Sequence, residues 1–244
     1  MLVRLGMQLI FGLAMVLGIG PALLLMYLVV RDYTYPRVEQ PFFSDPRFFS
    51  LFMVGLVAGS ILFFALSMFR FGSNVIYMMI LAAIEMMAMM VIMNLKRFRG
   101  MSDSVFYGYA LGLGISSGLS TGICFTLASV IESIDLSAVT LVILSVSLSL
   151  MLGACGTNVG EGIARNLPLQ YTMQGLLPLM VFNMFLTVVL HGGDIGGQVG
   201  YYGSMVAMLV IAFVYFHRTM RVKLAGVVRD VLRMEGNNRK DVPK

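Results

Sequence analysis

The chain has 244 residues, of which 59% are hydrophobic and only 12% are charged, and its mean hydropathy is +0.89. Since a soluble domain carries about 25% charged residues, this composition excludes a soluble globular protein and predicts an integral membrane protein. The net charge is +5, but no feature of the chain points to nucleic acid. The two cysteines, Cys124 and Cys155, lie in apolar stretches and form neither a disulfide framework nor a metal-binding pattern. No metal or other cofactor is predicted.

Seven apolar segments are long enough to cross a bilayer, which takes about 20 residues. They cover residues 6–30, 48–69, 74–95, 105–131, 137–155, 170–190 and 199–217. The connections between them leave no room for a soluble domain. The sequence therefore predicts an all-α membrane protein with a seven-helix transmembrane domain, residues 1–217, followed by a basic tail, residues 218–244.

The basic residues predict the orientation of these segments. If the C-terminus is cytoplasmic, 15 of the 17 Lys and Arg residues fall on the cytoplasmic side, and Arg4 and Arg70 fall outside. Cytoplasmic loops of membrane proteins are enriched in Lys and Arg. The N-terminus is therefore predicted outside and the C-terminus in the cytoplasm, in the plasma membrane or an endomembrane.

Along the chain, the first connection, residues 31–47, contains three prolines and balanced charge, and we expect an ordered loop at the inner surface. The third segment carries Glu85 near its middle. A carboxyl group inside a membrane is costly and normally faces the interior of a bundle. It fits either a catalytic base or proton relay, or a structural residue that pins helices together by hydrogen bonds.

Glycines dominate the fourth segment and also mark the second. On a helix, the five glycines of the fourth segment lie within an arc of roughly 160°. Such spacing permits close backbone approach between membrane helices, although glycine is common in membrane helices in general. We expect a crowded central helix, whose glycines meet either another chain or the protein's own helices. The predicted packing glycines are Gly55, Gly59, Gly108, Gly112, Gly114, Gly118 and Gly122.

The last two segments of interest follow the fifth and seventh spans. Residues 153–166 are glycine-rich and predict a flexible connection, without the spacing of a phosphate-binding loop. The tail predicts an amphipathic helix on the membrane lipids, or simply a basic anchor. Its apolar face is Val222, Leu224, Val227, Val228, Val231 and Leu232, and its basic face is Arg218, Arg221, Lys223, Arg229 and Arg233.

Glu85 has few potential partners in the sequence. His191 and His217 lie at the ends of predicted spans on opposite membrane faces, and no second acidic residue falls within a predicted span. Ser149 and Asn183 are the deep polar side chains that could bond to Glu85. A carboxylate that activates water needs a second acid, a histidine or a metal, so the pattern argues against an enzyme.

Three short motifs resemble the glutamic intramembrane protease superfamily, which includes the PrsW-type proteases, the CAAX prenyl proteases and the anterior-pharynx-defective subunit of gamma-secretase. They are GPALLL at 20–25, IEMMAMMVIMNLKR at 84–97 and YGYALGLGISSG at 107–118. The resemblance covers residues 10–125. It implies seven spans with an outside N-terminus and an inside C-terminus, as in the gamma-secretase subunit.

At the family's catalytic positions this chain carries other residues. The glutamate pair is Ile84-Glu85, the following basic residue is Ala88, the glutamate of the fourth helix is Leu119, and the histidines fall near Ser149 and Asn183. The resemblance therefore implies a scaffold without the catalytic groups, similar to the subunit that braces a presenilin-like aspartyl protease.

Three functional hypotheses follow. The first is a non-catalytic scaffold that packs through the glycine face of residues 108–122 against an intramembrane protease or a similar integral membrane partner. The second is a working PrsW-type glutamic protease, which would need Glu85 as its catalytic residue. The third is a small transporter or channel.

Overall fold

The computed structural model describes residues 2–69, 74–130, 135–191, 196–236, 239 and 242–243. These residues form helices and no strands, and seven of the helices are long and apolar enough to cross a membrane. The all-α fold is therefore confirmed for the described residues, and it contains the seven helices that the sequence predicts as spans. The spanning helices are α1 (Leu2–Val30), α2 (Asp45–Met68), α3 (Val75–Met93), α4 (Asp103–Val130), α5 (Asp135–Ala164), α6 (Pro168–Leu190) and α7 (Gly197–His217).

Two short helical turns complete the backbone. A 3₁₀ turn, Lys96–Phe98, lies between α3 and α4, and a π-helical turn, Arg218–Lys223, carries α7 directly into α8 (Leu224–Met234). The orientation across the membrane stays a prediction. Arg70, Lys240 and Lys244, which contribute to the predicted charge asymmetry, lie outside the described residues.

The fifth span was predicted too short. The glycine-rich segment 153–166, expected to be flexible, is helical as far as Ala164. A Cβ atom built on Gly156 would lie 3.0 Å from the Cα of Gly112, and one on Gly160 would lie 2.9 Å from the Cα of Val105. The intrinsic cost of glycine in a helix is thus offset here by close packing of α5 on α4.

Helices α4 and α5 form the centre of the bundle. In the apolar stretch of each helix, 72% of the residues of α4 and 78% of those of α5 are buried. In the other five spans the buried share is 22% to 39%. Helix α4 packs on α1, α2 and α5, and α5 also packs on α6 and α7. The polar core described below lies on the side of α5 that faces α6 and α7.

One set of α4 glycines contacts α2. A Cβ atom on Gly114 would overlap the Phe52 carbonyl oxygen and lie 2.9 Å from the Cα of Gly55. A Cβ atom on Gly118 would lie 2.6 Å from the backbone nitrogen of Ser60, in the turn that follows Gly59. This interface therefore joins backbone to backbone.

The other α4 glycines contact α5, and the last one contacts a side chain of α2. A Cβ atom on Gly108 would lie 2.9 Å from the Cα of Gly160, and one on Gly112 would lie 3.2 Å from the Cα of Gly156. A Cβ atom on Gly122 would overlap the ring of Phe63. The glycine face of α4 is thus covered by the protein's own helices, so the expectation that it receives a partner protein is wrong.

The amphipathic helix α8 differs from its predicted form in two ways. Its apolar residues from Leu224 to Leu232 are buried within the protein, so they do not form a free lipid-binding face, whereas Val222 is exposed. Val222 lies in the π-helical turn, where the wider backbone changes the angular register. Beyond α8, the Glu235 carboxylate accepts a hydrogen bond from the Ser102 hydroxyl at 3.2 Å. The predicted basic side chains, Arg218, Arg221, Lys223, Arg229 and Arg233, are exposed.

Candidate functional site: a buried polar cluster

Glu85 lies in the middle of α3, and its side chain is 1% exposed. The side-chain amide of Asn183, on α6, is within hydrogen-bonding reach of the Glu85 carboxyl. The same amide donates to the Met78 carbonyl oxygen of α3 at 3.2 Å. Asn183 therefore joins α6 to α3 through both the Met78 backbone and the Glu85 side chain. Asn183 is one of the two partners of Glu85 that the sequence predicts.

The second oxygen of this carboxyl group is unusual. Glu85 Oε2 is buried and has no hydrogen-bond partner among the described atoms, and no described Lys, Arg or His forms an ion pair with Glu85. An unpaired polar atom in a protein interior is costly. Such an atom is either a strained structural feature or a point that accepts a proton or a ligand.

Cys155 of α5 is close enough to Glu85 for the two side chains to interact electrostatically. The Cys155 thiol donates to the Gly175 carbonyl oxygen at 3.7 Å, and the hydroxyl of Tyr215 lies within bonding reach of the same thiol. The Tyr215 hydroxyl also accepts a hydrogen bond from Asn158 Nδ2 at 2.5 Å. We call Glu85, Asn183, Cys155, Tyr215 and Asn158 the polar cluster; it links α3, α5, α6 and α7.

Gly175 makes room for the cluster. A Cβ atom at this position would lie 2.7 Å from the Met86 Cε atom and 3.6 Å from the Tyr215 hydroxyl. A larger residue would therefore displace the terminal methyl group of the flexible Met86 side chain. Close packing around the polar groups keeps them away from lipid.

The line of polar groups on α5 continues towards the end of that helix. Glu161, 7% exposed, accepts a hydrogen bond from Arg165 Nε at 2.9 Å, and Arg165 Nη2 reaches the Asp230 carboxylate of α8 at 3.4 Å. Cys155, Asn158 and Glu161 recur at intervals of three residues along α5, and Arg165 follows four residues later, directly after the helix ends. At 1.5 Å per residue they extend over about 15 Å along the helix axis.

Glu161 corrects the sequence analysis, in which no second acidic residue fell within a span. The predicted fifth span ends at residue 155, before Glu161, whereas α5 reaches Ala164. Glu161 is, however, paired with Arg165 and not with Glu85.

Ser149 does not join the polar cluster. Its hydroxyl is on the side of α5 that contacts α4, where it accepts a hydrogen bond from the Ser116 hydroxyl at 3.4 Å. Cys155, in contrast, bonds to the Gly175 carbonyl oxygen of α6, so the two side chains contact different helices. The hydroxyls between α1, α4 and α5 serve helix packing in the same way: Ser120 donates to the Gly18 carbonyl oxygen at 3.1 Å.

Neither histidine belongs to the cluster. His191 follows α6 and its Nδ1 lies 2.7 Å from the Thr187 carbonyl oxygen, whereas His217 ends α7 and stacks on Phe213 at 6.2 Å. The 21-residue helix α7 separates these two positions by about 30 Å. Within the described residues, no group of three or more His, Cys, Asp or Glu side chains could hold a metal ion, and Cys124 and Cys155 are free, buried thiols.

Cys155, Asn158 and Tyr215 were not among the predicted site residues. The signal available in the sequence was the three-to-four-residue spacing of polar groups from Cys155 to Arg165. It was obscured because glycines between these residues suggested a loop. Comparisons with protein-family models, with curated proteins and with solved structures found no match to this chain.

Proposed function

We propose that this protein is a non-catalytic membrane scaffold that assembles with another integral membrane protein. The observation that carries the proposal is the environment of Glu85, the one residue that matches the protease motif. Glu85 is 1% exposed, bonded by an amide, and without a cationic partner among the described residues. The resemblance described above indicates a presenilin-like aspartyl protease as the class of partner.

A hydrolase would need water and a second acid or base beside Glu85. The nearest groups are an amide, a thiol and a phenol, and the paired Glu161 lies two turns farther along α5 from Cys155. The cavities of about 610 Å³ and 70 Å³ are lined by other parts of the chain. The polar cluster is therefore best suited to holding α3 and α6 against the α4–α5 centre.

The proposed partner surface is the outward face of α3. Helix α3 packs chiefly on α6 and contacts its sequence neighbour α2 only slightly, although helices adjacent in sequence usually pack together. The outward side chains of α3 are apolar and recur with helical spacing: Ile76, Ile80, Ile84, Met87 and Val91. We expect a transmembrane helix of the partner to lie along this stripe.

Affinity purification from the native membrane in a mild detergent, followed by mass spectrometry, tests this proposal. Ile84→Trp changes a side chain of the proposed surface that is 41% exposed, and Val210→Trp is its control on the outward face of α7, at 53%. We expect a stoichiometric multi-span protein with intramembrane aspartates to accompany the wild type and Val210→Trp, and to be lost from Ile84→Trp. A wild-type chain that purifies alone would overturn the scaffold proposal.

Substitution of Glu85 separates the scaffold from the protease alternative. Glu85→Gln keeps the shape of the side chain and its hydrogen bond to Asn183. We expect this variant to retain the partner and to leave cleavage of any membrane substrate unchanged. Loss of cleavage in a folded Glu85→Gln protein that still binds its partner would favour the PrsW-type protease.

One observation favours a second candidate, a small proton-coupled transporter. Glu85 Oε2 is unpartnered, and the polar line on α5 leads from its neighbourhood to Arg165 at the helix end. Intramembrane carboxyl groups commonly serve proton relays. Proton flux into liposomes that contain the purified chain, abolished by Glu85→Gln, would support this candidate; equal flux in both proteins and in empty liposomes would exclude it.

A further inference from the structure

A second site lies apart from the polar cluster, where α1 ends and α2 begins. A cavity of about 610 Å³ opens there, lined by the last turns of α1, the loop that follows it, and the first turn of α2. This volume lies within the range of ordinary ligand sites, about 300–1,000 Å³. We propose that the cavity binds one anionic phospholipid, with its phosphate at Arg31 and Arg37 and the beginning of an acyl chain between α1 and α2.

The part of the cavity within the membrane spans is apolar. Leu23 and Tyr27 of α1 and Phe49 of α2 line it with exposed side chains, whereas the buried side chains of Met26 and Phe48 line its floor. Every one of these residues belongs to a membrane-spanning helix. This wall therefore matches a hydrocarbon chain.

The opposite end of the cavity is positively charged. Asp32 is surrounded by three guanidinium groups: Arg37 forms an ion pair with it, Arg31 Nε lies 3.8 Å away, and Arg221 Nη1 lies 3.9 Å away. The cavity itself is lined by Arg31, Arg37 and one carboxylate, Asp45. Asp32 and Arg221 line the smaller neighbouring cavity, so the charged groups that line the 610 Å³ cavity carry one excess positive charge. Guanidinium groups bind phosphate oxygens through paired hydrogen bonds.

The excess positive charge at this end of the cavity favours anionic over zwitterionic lipids. An anionic headgroup such as phosphatidylglycerol adds only its phosphate charge, which the excess arginine neutralises. A zwitterionic headgroup adds a cation beside Arg31 and Arg37, where like charges repel. In the predicted orientation this end faces the cytoplasm, where the leaflet is rich in anionic lipid.

The loop that forms the mouth is held in place by the core. Tyr33 is buried and contacts the ring of Phe106, on α4, at a centroid distance of 4.9 Å. The Phe42 amide donates to the Tyr33 carbonyl oxygen at 3.3 Å, and the Ser44 amide donates to the Tyr107 hydroxyl at 3.1 Å. The cavity is therefore formed before a lipid enters, which reduces the entropic cost of binding.

Native mass spectrometry of the full-length chain in detergent, titrated with phosphatidylglycerol or phosphatidylcholine, tests the proposal. We expect one phosphatidylglycerol to bind, more tightly than phosphatidylcholine. The double variant Arg31→Gln/Arg37→Gln should bind it roughly 30-fold more weakly, because each basic residue near an anionic lipid contributes about fivefold. The control Arg229→Gln/Arg233→Gln removes the same charge from exposed positions of α8 and should change binding by less than about threefold.

A second pair of variants leaves every charge in place. Leu23→Trp fills the cavity, whereas Leu24→Trp places the same bulk on a neighbouring residue that is 59% exposed and does not line it. We expect only Leu23→Trp to lose the lipid, and glycerol phosphate without acyl chains not to displace it. Equal weakening by both double variants, equal affinity for the two lipids, displacement by glycerol phosphate, or unchanged binding in Leu23→Trp would overturn the proposal.

Discussion

Replacement of Gly114 by alanine tests whether the α2–α4 interface depends on backbone contact. The added methyl group would overlap the Phe52 carbonyl oxygen and lie 2.9 Å from the Gly55 Cα atom. Because nonbonded carbons prefer separations of about 3.5–4.0 Å, α2 and α4 must move apart by roughly 1 Å. The neighbouring contact at Gly118 belongs to the same interface and is loosened by the same movement.

The size of the effect follows from two opposing contributions. Overpacking of a tight interface costs about 1–3 kcal/mol, whereas alanine is favoured over glycine in a helix by about 0.5–1 kcal/mol. We therefore expect Gly114→Ala to lower the free energy of unfolding by about 1–2 kcal/mol. For a chain of this length that is a decrease in Tm of roughly 2–8 °C.

Gly203 of α7 provides the matched control, because a Cβ atom there meets no other atom within 4 Å. Gly203→Ala should raise Tm by roughly 1–4 °C through helix propensity alone. Unfolding can be followed with a fluorogenic maleimide, since Cys124 and Cys155 are buried in the folded protein. Equal Tm changes of the same sign in the two variants would refute the reasoning.

The same interface predicts non-additivity. Gly55 and Gly114 face each other, so a separation that accommodates one methyl group partly accommodates the other. Gly55→Ala/Gly114→Ala should therefore lose less stability than the sum of the single losses. Strict additivity would mean that the two glycines act independently.

Two further predictions concern the polar line on α5. Arg165→Gln removes the ion-pair partner of the Glu161 carboxylate. It should lower the unfolding free energy by about 2 kcal/mol, below the roughly 3–5 kcal/mol of a fully buried pair. Arg229→Gln, at an exposed position, should change the unfolding free energy by less than about 0.5 kcal/mol, and similar losses in both variants would contradict a specific pair. Tyr215→Phe removes the acceptor of the 2.5 Å hydrogen bond from Asn158 and should lower the unfolding free energy by about 1 kcal/mol, measured by the same maleimide assay; an unchanged Tm would mean that the bond adds nothing to stability.

The all-helical architecture was predictable because a segment that crosses a bilayer must satisfy its backbone hydrogen bonds internally. The length and hydropathy of a segment are therefore sufficient to predict a spanning helix. The error at α5 has a specific cause. Gly153, Gly156 and Gly160 look like loop residues in isolation, and only the presence of α4 at contact distance makes them suitable for a helix. The glycines of α4 were recognised as packing residues, but spacing could not tell whether α2 and α5 or another chain would meet them.

The polar cluster was predictable only in part. Asn183 could be paired with Glu85 because both lie deep within clearly delimited spans. Tyr215 could not, since a tyrosine near the end of α7 looks like an interfacial residue and its inward direction depends on how α7 packs on α5. Ser149 looked equally suitable because sequence spacing does not show which face of α5 packs on α4, where its hydroxyl bonds to Ser116.

The most direct test of the scaffold proposal is native mass spectrometry of the chain extracted from its own membrane in a mild detergent. The proposal predicts a complex that contains this 26.8 kDa chain together with one multi-span protein bearing intramembrane aspartates, and predicts the same complex for Glu85→Gln. A spectrum that contains only the free chain or its homo-oligomers would contradict it.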